Sequence, residues 1–361
     1  MRILSIDGGG IRGIIPATLL AALEEMAGRP VHTLFDGFAG TSTGGIMAMG
    51  LVCPQPGGPP RSAAYIRSLY LDRGPRIFPL GGVGLVEPQK NGREAQFGVR
   101  PPFTDTAGLR DRVESALGAP NLAQTFAPFG GRVKQGNARY PAAPLEEELR
   151  REFGTVRLSQ AIKPVAVVSC DFVRQEPLIF QGGGIVSSHL GDPEMAVVAR
   201  ATSAAPTFFP GLRYPAPGGG VIYCVDGGLV ADDPAMVGYT MGRAMSGGKT
   251  PMVLVSLGTG ERHIPEAAHM IAHIETACGR GSLGAPFFQA LSVAPGALNR
   301  SLLRVMPELT YIRVQPRLRH GAVADMDNAT PENIEALRRT GEGFVAANRP
   351  VLERILRAVS A

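Results

Sequence analysis

The sequence lacks several features that mark common classes of protein. It contains no tryptophan, aromatic residues make up 6% of it, and its 36 lysines and arginines are spread along the chain rather than gathered into runs. An arm that binds DNA or RNA usually combines a basic run with interleaved aromatic residues, so we expect no nucleic-acid partner. No stretch of about 18 consecutive apolar residues occurs, which argues against a transmembrane helix.

Cysteines are also few and widely spaced. The pairs among Cys53, Cys170, Cys224 and Cys278 show none of the spacings of metal or redox sites, so we expect no metal and interpret them as thiols of a reducing compartment. The chain begins directly with a strand pattern, and we therefore expect no signal peptide and a cytoplasmic protein. The net charge of +5 fits attraction to an anionic surface without identifying one.

Strand and helix patterns alternate along most of the 361 residues. Strands are predicted over 2–6, 34–42, 163–173, 177–181, 220–228 and 251–260, and helices over 14–26, 43–53 and 193–205. Strands separated by helices predict one α/β domain over 1–361, with a mainly parallel sheet and helices on both faces.

Two regions extend this pattern. Residues 54–144 are rich in glycine and proline, with helical patches at 63–72 and 108–117, and we expect them to form a cap inserted over the core. Near the C-terminus, Thr330 and Pro331 are typical of a helix start. A second amphipathic helix is predicted over 349–359. We interpret its arginines as a solvated face, with a membrane-facing role as the alternative.

A glycine loop follows the first predicted strand. Gly8, Gly10 and Gly13 match the pattern G-x-G-x-x-G between a strand and a helix, where the pyrophosphate of a dinucleotide often lies. Such a site needs an acidic residue about 20 positions further on, at the end of the second strand. Asp36 is near the start of that strand, and the end of the strand carries Ser42 instead. The loop therefore binds either a nucleotide or some other anion.

The second predicted strand ends in the motif Gly40-Thr41-Ser42-Thr43-Gly44, which fits G-x-S-x-G. A buried strand precedes the motif and an apolar helix follows it, as in a nucleophile elbow, where a tight turn exposes the serine hydroxyl. Small residues at positions 40 and 44 allow the turn and the approach of a substrate. The helix start offers N–H groups and a dipole that favour developing negative charge. The motif therefore predicts Ser42 as a nucleophile.

A serine nucleophile needs a base. Asp226 ends the apolar strand pattern VIYCV and is followed by Gly227 and Gly228. This order predicts a carboxylate at the carboxyl end of a strand, where the active sites of α/β proteins form. Two arrangements are open on these residues alone. One is a dyad of Ser42 and Asp226, and the other is a triad that adds His320.

Acyl transfer also needs donors for an oxyanion. The backbone amides of Gly8, Gly9 and Gly10 can point at a tetrahedral oxygen, and Arg12 can add charge or lock the loop. This is an alternative use of the glycine loop, because a pyrophosphate does not need the arginine. A nucleotide-binding regulator that uses the loop from Gly8 to Gly13 is the rival from another functional class.

Three motifs occur in one order along the chain, DGGGIRG (7–13), GTSTGG (40–45) and VDGG (225–228). Together they resemble the patatin-like phospholipases. Further stretches that resemble this family are ARYPAAPLEEELRREFG (138–154), ATSAAPTFFP (201–210), SLGTG (256–260) and MDNATPENIEALRRTGE (326–342). The resemblance covers nearly the whole chain outside about 54–137.

The resemblance implies a three-layer α/β/α patatin-like fold and a phospholipase A type of lipid acyl hydrolase without cofactor or metal. It implies Ser42 as the nucleophile, Asp226 as the base, an oxyanion hole at the glycine loop, and no catalytic histidine. Many relatives have two asparagines where this sequence has Asp232 and Asp233, which add negative charge near the site.

The compact architecture also resembles bacterial effector phospholipases of anti-phage signalling systems, which cyclic dinucleotides switch on to degrade the inner membrane. This resemblance implies a cytoplasmic protein that acts at the inner membrane surface, with phospholipid and a cyclic dinucleotide as partners. Arg93, Arg100 and Arg132 are then candidate contacts for nucleotide phosphates. A constitutive lysophospholipase or esterase and an acyltransferase are the alternatives, and a homodimer is left open.

Overall fold

A computed structural model describes residues 1–79, 138–185, 189–248, 250–261 and 295–360 of the chain. Their strands form one sheet in the order β5-β6-β3-β2-β1-β7-β8, and β4 also pairs with β3. The strands are β1 (Arg2–Ile6), β2 (Gly37–Thr41), β3 (Val165–Asp171), β4 (Glu176–Gly182), β5 (Leu212–Pro215), β6 (Val221–Asp226), β7 (Met252–Leu257) and β8 (Leu309–Val314).

The sheet is mainly parallel, as predicted. Strands β3, β2, β1, β7 and β8 all run in one direction. Strands β4 and β6 run antiparallel to β3, and β5 runs antiparallel to β6. A strand buried on both faces gives an uninterrupted apolar run in either direction, so the direction of β6 is not visible in its sequence.

The helices cover both faces of this sheet. They are α1 (Ile14–Ala27), α2 (Val31–Leu34), α3 (Thr43–Val52), α4 (Ala63–Ile77), α5 (Ala142–Phe153), α6 (Met195–Thr202), α7 (Gly228–Ala231), α8 (Ala235–Met245), α9 (295–303), α10 (Pro331–Ala347) and α11 (Arg349–Ser360).

Side chains alternate across the sheet and form two cores. Leu4 and Ile6 of β1 point into the larger core, which also contains residues of α1, α3, α4, α5 and α6. Ile3 points into the smaller core on the opposite face, with Met241 of α8 and Leu303 of α9. The fold therefore has the predicted three layers, with a sheet between two layers of helices.

Strands β2 and β6 meet end to end beside β3. Strand β4 pairs with β3 along the whole of Val165–Asp171 and so occupies one edge of it. On the other edge, β2 pairs in parallel with 165–168, and β6 pairs antiparallel with 169–171. The carboxyl ends of β2 and β6 therefore face each other, which brings together residues that are far apart in the sequence.

The second predicted strand is shorter than expected. Residues Val31–Leu34 form a helical turn after Pro30, and the strand begins only at Gly37. Asp36 lies before the strand and binds Arg2, with Oδ1 2.6 Å from Nη2 and Oδ2 accepting from the backbone amide at 2.9 Å. Asp36 is thus used in an ion pair at the amino end of the sheet.

The predicted cap lies largely outside the described residues. Within its predicted range, α4 packs against α1 as part of the main helical layer. The patch at 108–117 and the arginines Arg93, Arg100 and Arg132 fall in 80–137, outside the described residues. The cap over the core therefore stays a prediction.

The C-terminal helices and the described cysteines agree with the sequence. Thr330 accepts a hydrogen bond from the amide of Asn333 at the start of α10, and Pro331 occupies its first turn. Arg349 and Arg357 of α11 are exposed on its outer side. The described cysteines, Cys53, Cys170 and Cys224, are free and buried, and Cys278 lies outside the described residues.

Candidate active site

Ser42 lies in the turn between β2 and α3. Its backbone, at φ 52° and ψ −122°, occupies a region that side chains rarely adopt, and its amide donates to Thr202 Oγ1 at 2.8 Å. A Cβ on Gly40 would lie 2.3 Å from the carbonyl oxygen of Gly44, and a Cβ on Gly44 would lie 2.1 Å from that of Ile6. Both glycines are therefore required for the turn, which has the geometry of a nucleophile elbow.

Asp226 reaches Ser42 because β6 ends where β2 ends. Its Oδ2 accepts a hydrogen bond from Ser42 Oγ at 2.7 Å, and its Oδ1 accepts from the amide of Gly228 at 2.7 Å. A Cβ on Gly227 would lie 2.3 Å from the carbonyl oxygen of Val168, so the first glycine of the motif allows a close approach to β3. The structure thus brings together the predicted nucleophile and the predicted base.

Burial controls the acidity of Asp226, which is 7% exposed. Loss of solvation raises the pKa of this carboxyl to about 7, the hydrogen bonds from Ser42 and Gly228 lower it in part, and the nearby charge of Asp232 raises it. A carboxylate with a pKa near neutrality accepts and returns a proton more readily than an ordinary aspartate.

The glycine loop lies against the same residues. The amide of Gly8 donates to the backbone oxygen of Asp232 at 3.0 Å, which removes it from the predicted set of oxyanion donors. Within the described part of the chain, the amides of Gly9 and Gly10 have no acceptor. Both glycines have positive φ, 152° and 58°, and line the cavity that contains Ser42. The available donors are therefore the amides of Gly9 and Gly10.

Two side chains and one backbone carbonyl hold the glycine loop in place. Arg12 Nε donates to the carbonyl oxygen of Gly9 at 3.3 Å, and its Nη1 donates to that of Gly260 at 3.4 Å. Thr259 Oγ1 donates to the carbonyl oxygen of Gly8 at 2.7 Å. On the other side, the amide of Ile11 donates to the backbone oxygen of Met326 at 2.8 Å. Arg12 thus locks the loop, which was one of its two predicted roles.

Carboxylates and arginines alternate behind the loop. Arg313 of β8 binds both carboxylate oxygens of Asp7, with Nη1 2.8 Å from Oδ1, and lies 3.6 Å from Asp233. Arg300 binds Asp233 at 2.9 Å. Burial raises the pKa of Asp7 to about 7, although Arg313 lowers it. This network joins the start of the glycine loop to the segment that follows the base.

The site opens into a cavity of about 1240 Å³ that has both apolar and charged lining residues. The apolar side chains come mainly from α3, α4, α5 and the segment before β5, although α4 and α5 also contribute the charged residues Arg73, Glu148 and Glu152. Further charged residues come from the glycine loop, α9 and β8. Apolar lining residues are Ile46, Ile66, Ile77, Phe78, Leu149, Phe208 and Phe209, and charged ones include Arg12, Asp232, Asp233, Arg300, Arg304 and Arg313.

Histidine is missing from the described lining of this cavity. His320 lies beside α10, where a Cβ built on Gly343 would be 3.5 Å from its Nε2. The geometry in the described residues therefore places a carboxylate, and not an imidazole, beside the hydroxyl of Ser42.

Sequence reasoning missed the residues that support the loop and the elbow. Arg313 lies in a strand that we did not predict, although LTYIRV alternates between the two faces as a strand does. Thr202 and Thr259 lie in the motifs ATSAAP and SLGTG that carry the family resemblance. Their roles follow only from the hydrogen bonds that they make to Ser42 and Gly8.

A family profile described as "Patatin-like phospholipase" matches residues 4–239. The chain belongs to the patatin-like phospholipase family. The matched region contains the glycine loop, the elbow with Ser42 and the strand that ends at Asp226. The protein is thus a member of a family of lipid acyl hydrolases.

Plant proteins of this family are similar over nearly the whole chain. Patatin-like protein 2 of Arabidopsis thaliana is 29% identical over 95% of this chain and 82% of its own length. Patatin-17 of Solanum cardiophyllum is 28% identical over 98% of this chain and 85% of its own length. "Probable inactive patatin-3-Kuras 1" of Solanum tuberosum is 26% identical over 96% of this chain and 86% of its own length.

None of the helices in the described ranges has the length and hydropathy to span a bilayer.

Proposed function

We propose that this patatin-like protein hydrolyses fatty-acyl esters of membrane glycerophospholipids, as a phospholipase of A type, through a dyad of Ser42 and Asp226. The observation that carries the proposal is the 2.7 Å hydrogen bond from Ser42 Oγ to Asp226 Oδ2 in the wall of the cavity. A hydroxyl bound to a buried carboxylate with a pKa of about 7 can lose its proton to that carboxylate as the oxygen attacks an ester.

The reaction runs in two halves. Asp226 accepts the proton of Ser42 while Oγ attacks the acyl carbonyl carbon, and the amides of Gly9 and Gly10 bind the oxyanion. The proton then passes from Asp226 to the leaving alcohol, which is the lyso-lipid. Water attacks the acyl-enzyme, gives its proton to Asp226, and releases the fatty acid as the proton returns to Ser42.

The lining of the cavity offers partners for both ends of a phospholipid. Its apolar side chains, such as Ile46, Phe78 and Phe209, suit a fatty-acyl chain. Arg304, which lines the same cavity, suits a phosphate group. Ser42 and Asp226 line this cavity too, so we expect the ester of such a substrate to lie beside them.

The geometry favours this function over its rivals. A nucleotide site at Gly8–Gly13 would need an acidic partner, and Asp36 is bound to Arg2 instead. An acyltransferase of this general type would need a histidine near Ser42, and the described lining residues include none. A constitutive esterase or lysophospholipase uses the same dyad and differs only in its substrate.

Regulation and location rest on the sequence. Activation by a cyclic dinucleotide in anti-phage defence, and action at the inner membrane surface, follow from the resemblance alone, because Arg93, Arg100 and Arg132 lie outside the described residues. The vesicle assay therefore includes cyclic dinucleotides.

Release of fatty acid from phospholipid vesicles tests the proposal. Ser42→Ala and Asp226→Ala should each lower the rate about 10³-fold or more, since both groups act in every turnover. His320→Ala is the matched control and should keep the wild-type rate. Each protein is assayed with and without a panel of cyclic dinucleotides. Wild-type turnover by a folded Asp226→Ala variant, or loss of activity in His320→Ala, would overturn the dyad.

A further inference from the structure

Helix α9 forms part of the rim of the catalytic cavity. Gly296, Arg300 and Arg304 line the same cavity as Ser42. One side of the helix is fixed to the protein, because Leu303 is fully buried in the smaller core and Arg300 binds Asp233 at 2.9 Å.

The opposite side of α9 carries apolar side chains that belong to neither core among the described residues. Leu298 is 62% exposed, Leu302 is 42% exposed, and Val305 in the turn that follows is 77% exposed. Leu298 and Leu302 are four residues apart and lie on one side of the helix, and Leu303 points away from that side. Three large apolar groups together at the rim of a cavity are typical of a docking surface.

The charge of this segment is of one sign. Residues 295–307 contain two arginines and no aspartate or glutamate. The charge of Arg300 is balanced by Asp233. The guanidinium of Arg304 is exposed and, among the described residues, has no acidic group within ion-pair distance. An unbalanced cation beside exposed leucines complements an anionic lipid surface.

We propose that Leu298, Leu302, Val305 and Arg304 form a membrane-docking surface that seats the cavity mouth on an anionic phospholipid bilayer. The three apolar side chains enter the boundary between headgroups and acyl chains, and the arginine binds a lipid phosphate. The inference rests on the proposed lipid acyl hydrolase function and adds to it the surface that delivers the substrate.

A second copy of the chain is the alternative binding partner for this surface. Three side chains are far fewer than the roughly 20–30 residues a side of a typical stable interface. Two such surfaces facing each other would also bring like charges of Arg304 together. Both facts favour the bilayer as the occupant.

The absence of tryptophan makes a direct test straightforward, because one introduced tryptophan is then the only indole in the protein. Leu298→Trp and Val305→Trp are made in the Ser42→Ala background, so that hydrolysis does not change the vesicles. Ile162→Trp is the matched control. Ile162 is 42% exposed, as Leu302 is, but precedes β3 at the end of the sheet away from Ser42.

With vesicles of phosphatidylglycerol, the emission of the Leu298→Trp and Val305→Trp variants should shift to the blue and be quenched by brominated acyl chains, whereas the Ile162→Trp variant should not respond. The response should be weaker with phosphatidylcholine alone. Binding of the vesicles without a change at positions 298 and 305, or an equal change at position 162, would overturn the surface.

A second set of variants separates docking from chemistry. Leu298→Asp with Leu302→Asp should weaken binding to phosphatidylglycerol vesicles and their hydrolysis by roughly tenfold or more, and leave turnover of a soluble short-chain ester unchanged. Arg304→Gln should reduce the preference for anionic vesicles.

If the wild type cleaves neither substrate, the proposed function fails, while the tryptophan response still reports on docking. If the double variant changes a dimer to a monomer in sedimentation and leaves vesicle binding intact, a second copy is the occupant and the proposal is wrong.

Discussion

Asp226 experiences opposing influences on its charge. Its burial favours the protonated form, whereas the hydrogen bonds from Ser42 and Gly228 favour the ionised form, and the balance leaves its pKa at about 7. Because only the ionised form can accept the proton of Ser42, the fraction of active enzyme changes between mildly acidic and mildly alkaline pH. The charge of the neighbouring Asp232 adds to the effect of burial.

This balance predicts the pH dependence of catalysis. For a soluble ester, kcat/KM should rise with pH and level off above about 7, the pKa of Asp226. Asp232→Asn removes a charge that raises this pKa, so the rise should move to lower pH. Asp36→Asn is the control, because Asp36 pairs with Arg2 away from the site, and should leave the profile unchanged. A rise centred near the ordinary aspartate pKa of about 4 in the wild type, or an unmoved profile in Asp232→Asn, would contradict this account.

At the scale of elements, the elbow between β2 and α3 places one residue in a costly conformation. This conformation turns the hydroxyl of Ser42 towards Asp226 and points the start of α3 at the site. Glycine at this position has no side chain to clash, so it should relieve the strain that alanine retains.

The strain can be measured as a difference between two inactive variants. Ser42→Gly should have a measured free energy of unfolding about 1 kcal/mol higher than that of Ser42→Ala. This difference is the relief of strain minus the entropic cost that glycine brings by making the unfolded chain more flexible. Urea denaturation measures both. The matched pair at Ser301, an exposed residue inside α9, should show the opposite sign, with glycine about 0.5–1 kcal/mol less stable than alanine. A lower stability of Ser42→Gly than of Ser42→Ala would show that the elbow stores no strain.

The sequence predicts separately the two elements that carry Ser42 and Asp226. A buried strand, the motif around Ser42 and an apolar helix indicate an elbow, and the glycines after Asp226 indicate a strand end. The sequence does not show that β6 runs antiparallel to β3, because its apolar run would look the same in either direction. The end-to-end meeting of β2 and β6 is therefore visible only in the structure.

At the scale of the whole molecule, the site is assembled from segments that span nearly the entire chain. Asp7 and Arg313 are 306 positions apart, and the amide of Ile11 binds the carbonyl of Met326. Such contacts depend on how the sheet orders its strands, with β8 beside β7 and β7 beside β1. Local periodicity carries no information about that order, which is why Arg313 and the use of the Gly8 amide were not predicted.

The family profile covers only part of the cavity. Ser42 and Asp226 lie within the matched region, 4–239, whereas helix α9, with its exposed leucines, lies beyond it. Helix α9 lines the cavity from a position in the chain between β7 and β8.

Labelling of Ser42 by a fluorophosphonate tests the dyad most directly. Intact mass measures the rate of labelling, and peptide mapping identifies the labelled residue. The wild type should be labelled once, at Ser42. Asp226→Asn should be labelled at least about 10²-fold more slowly, because the hydroxyl has lost its base, and His320→Ala should be labelled at the wild-type rate. Equal rates for the wild type and Asp226→Asn, or a slow reaction of His320→Ala, would contradict a Ser42–Asp226 dyad.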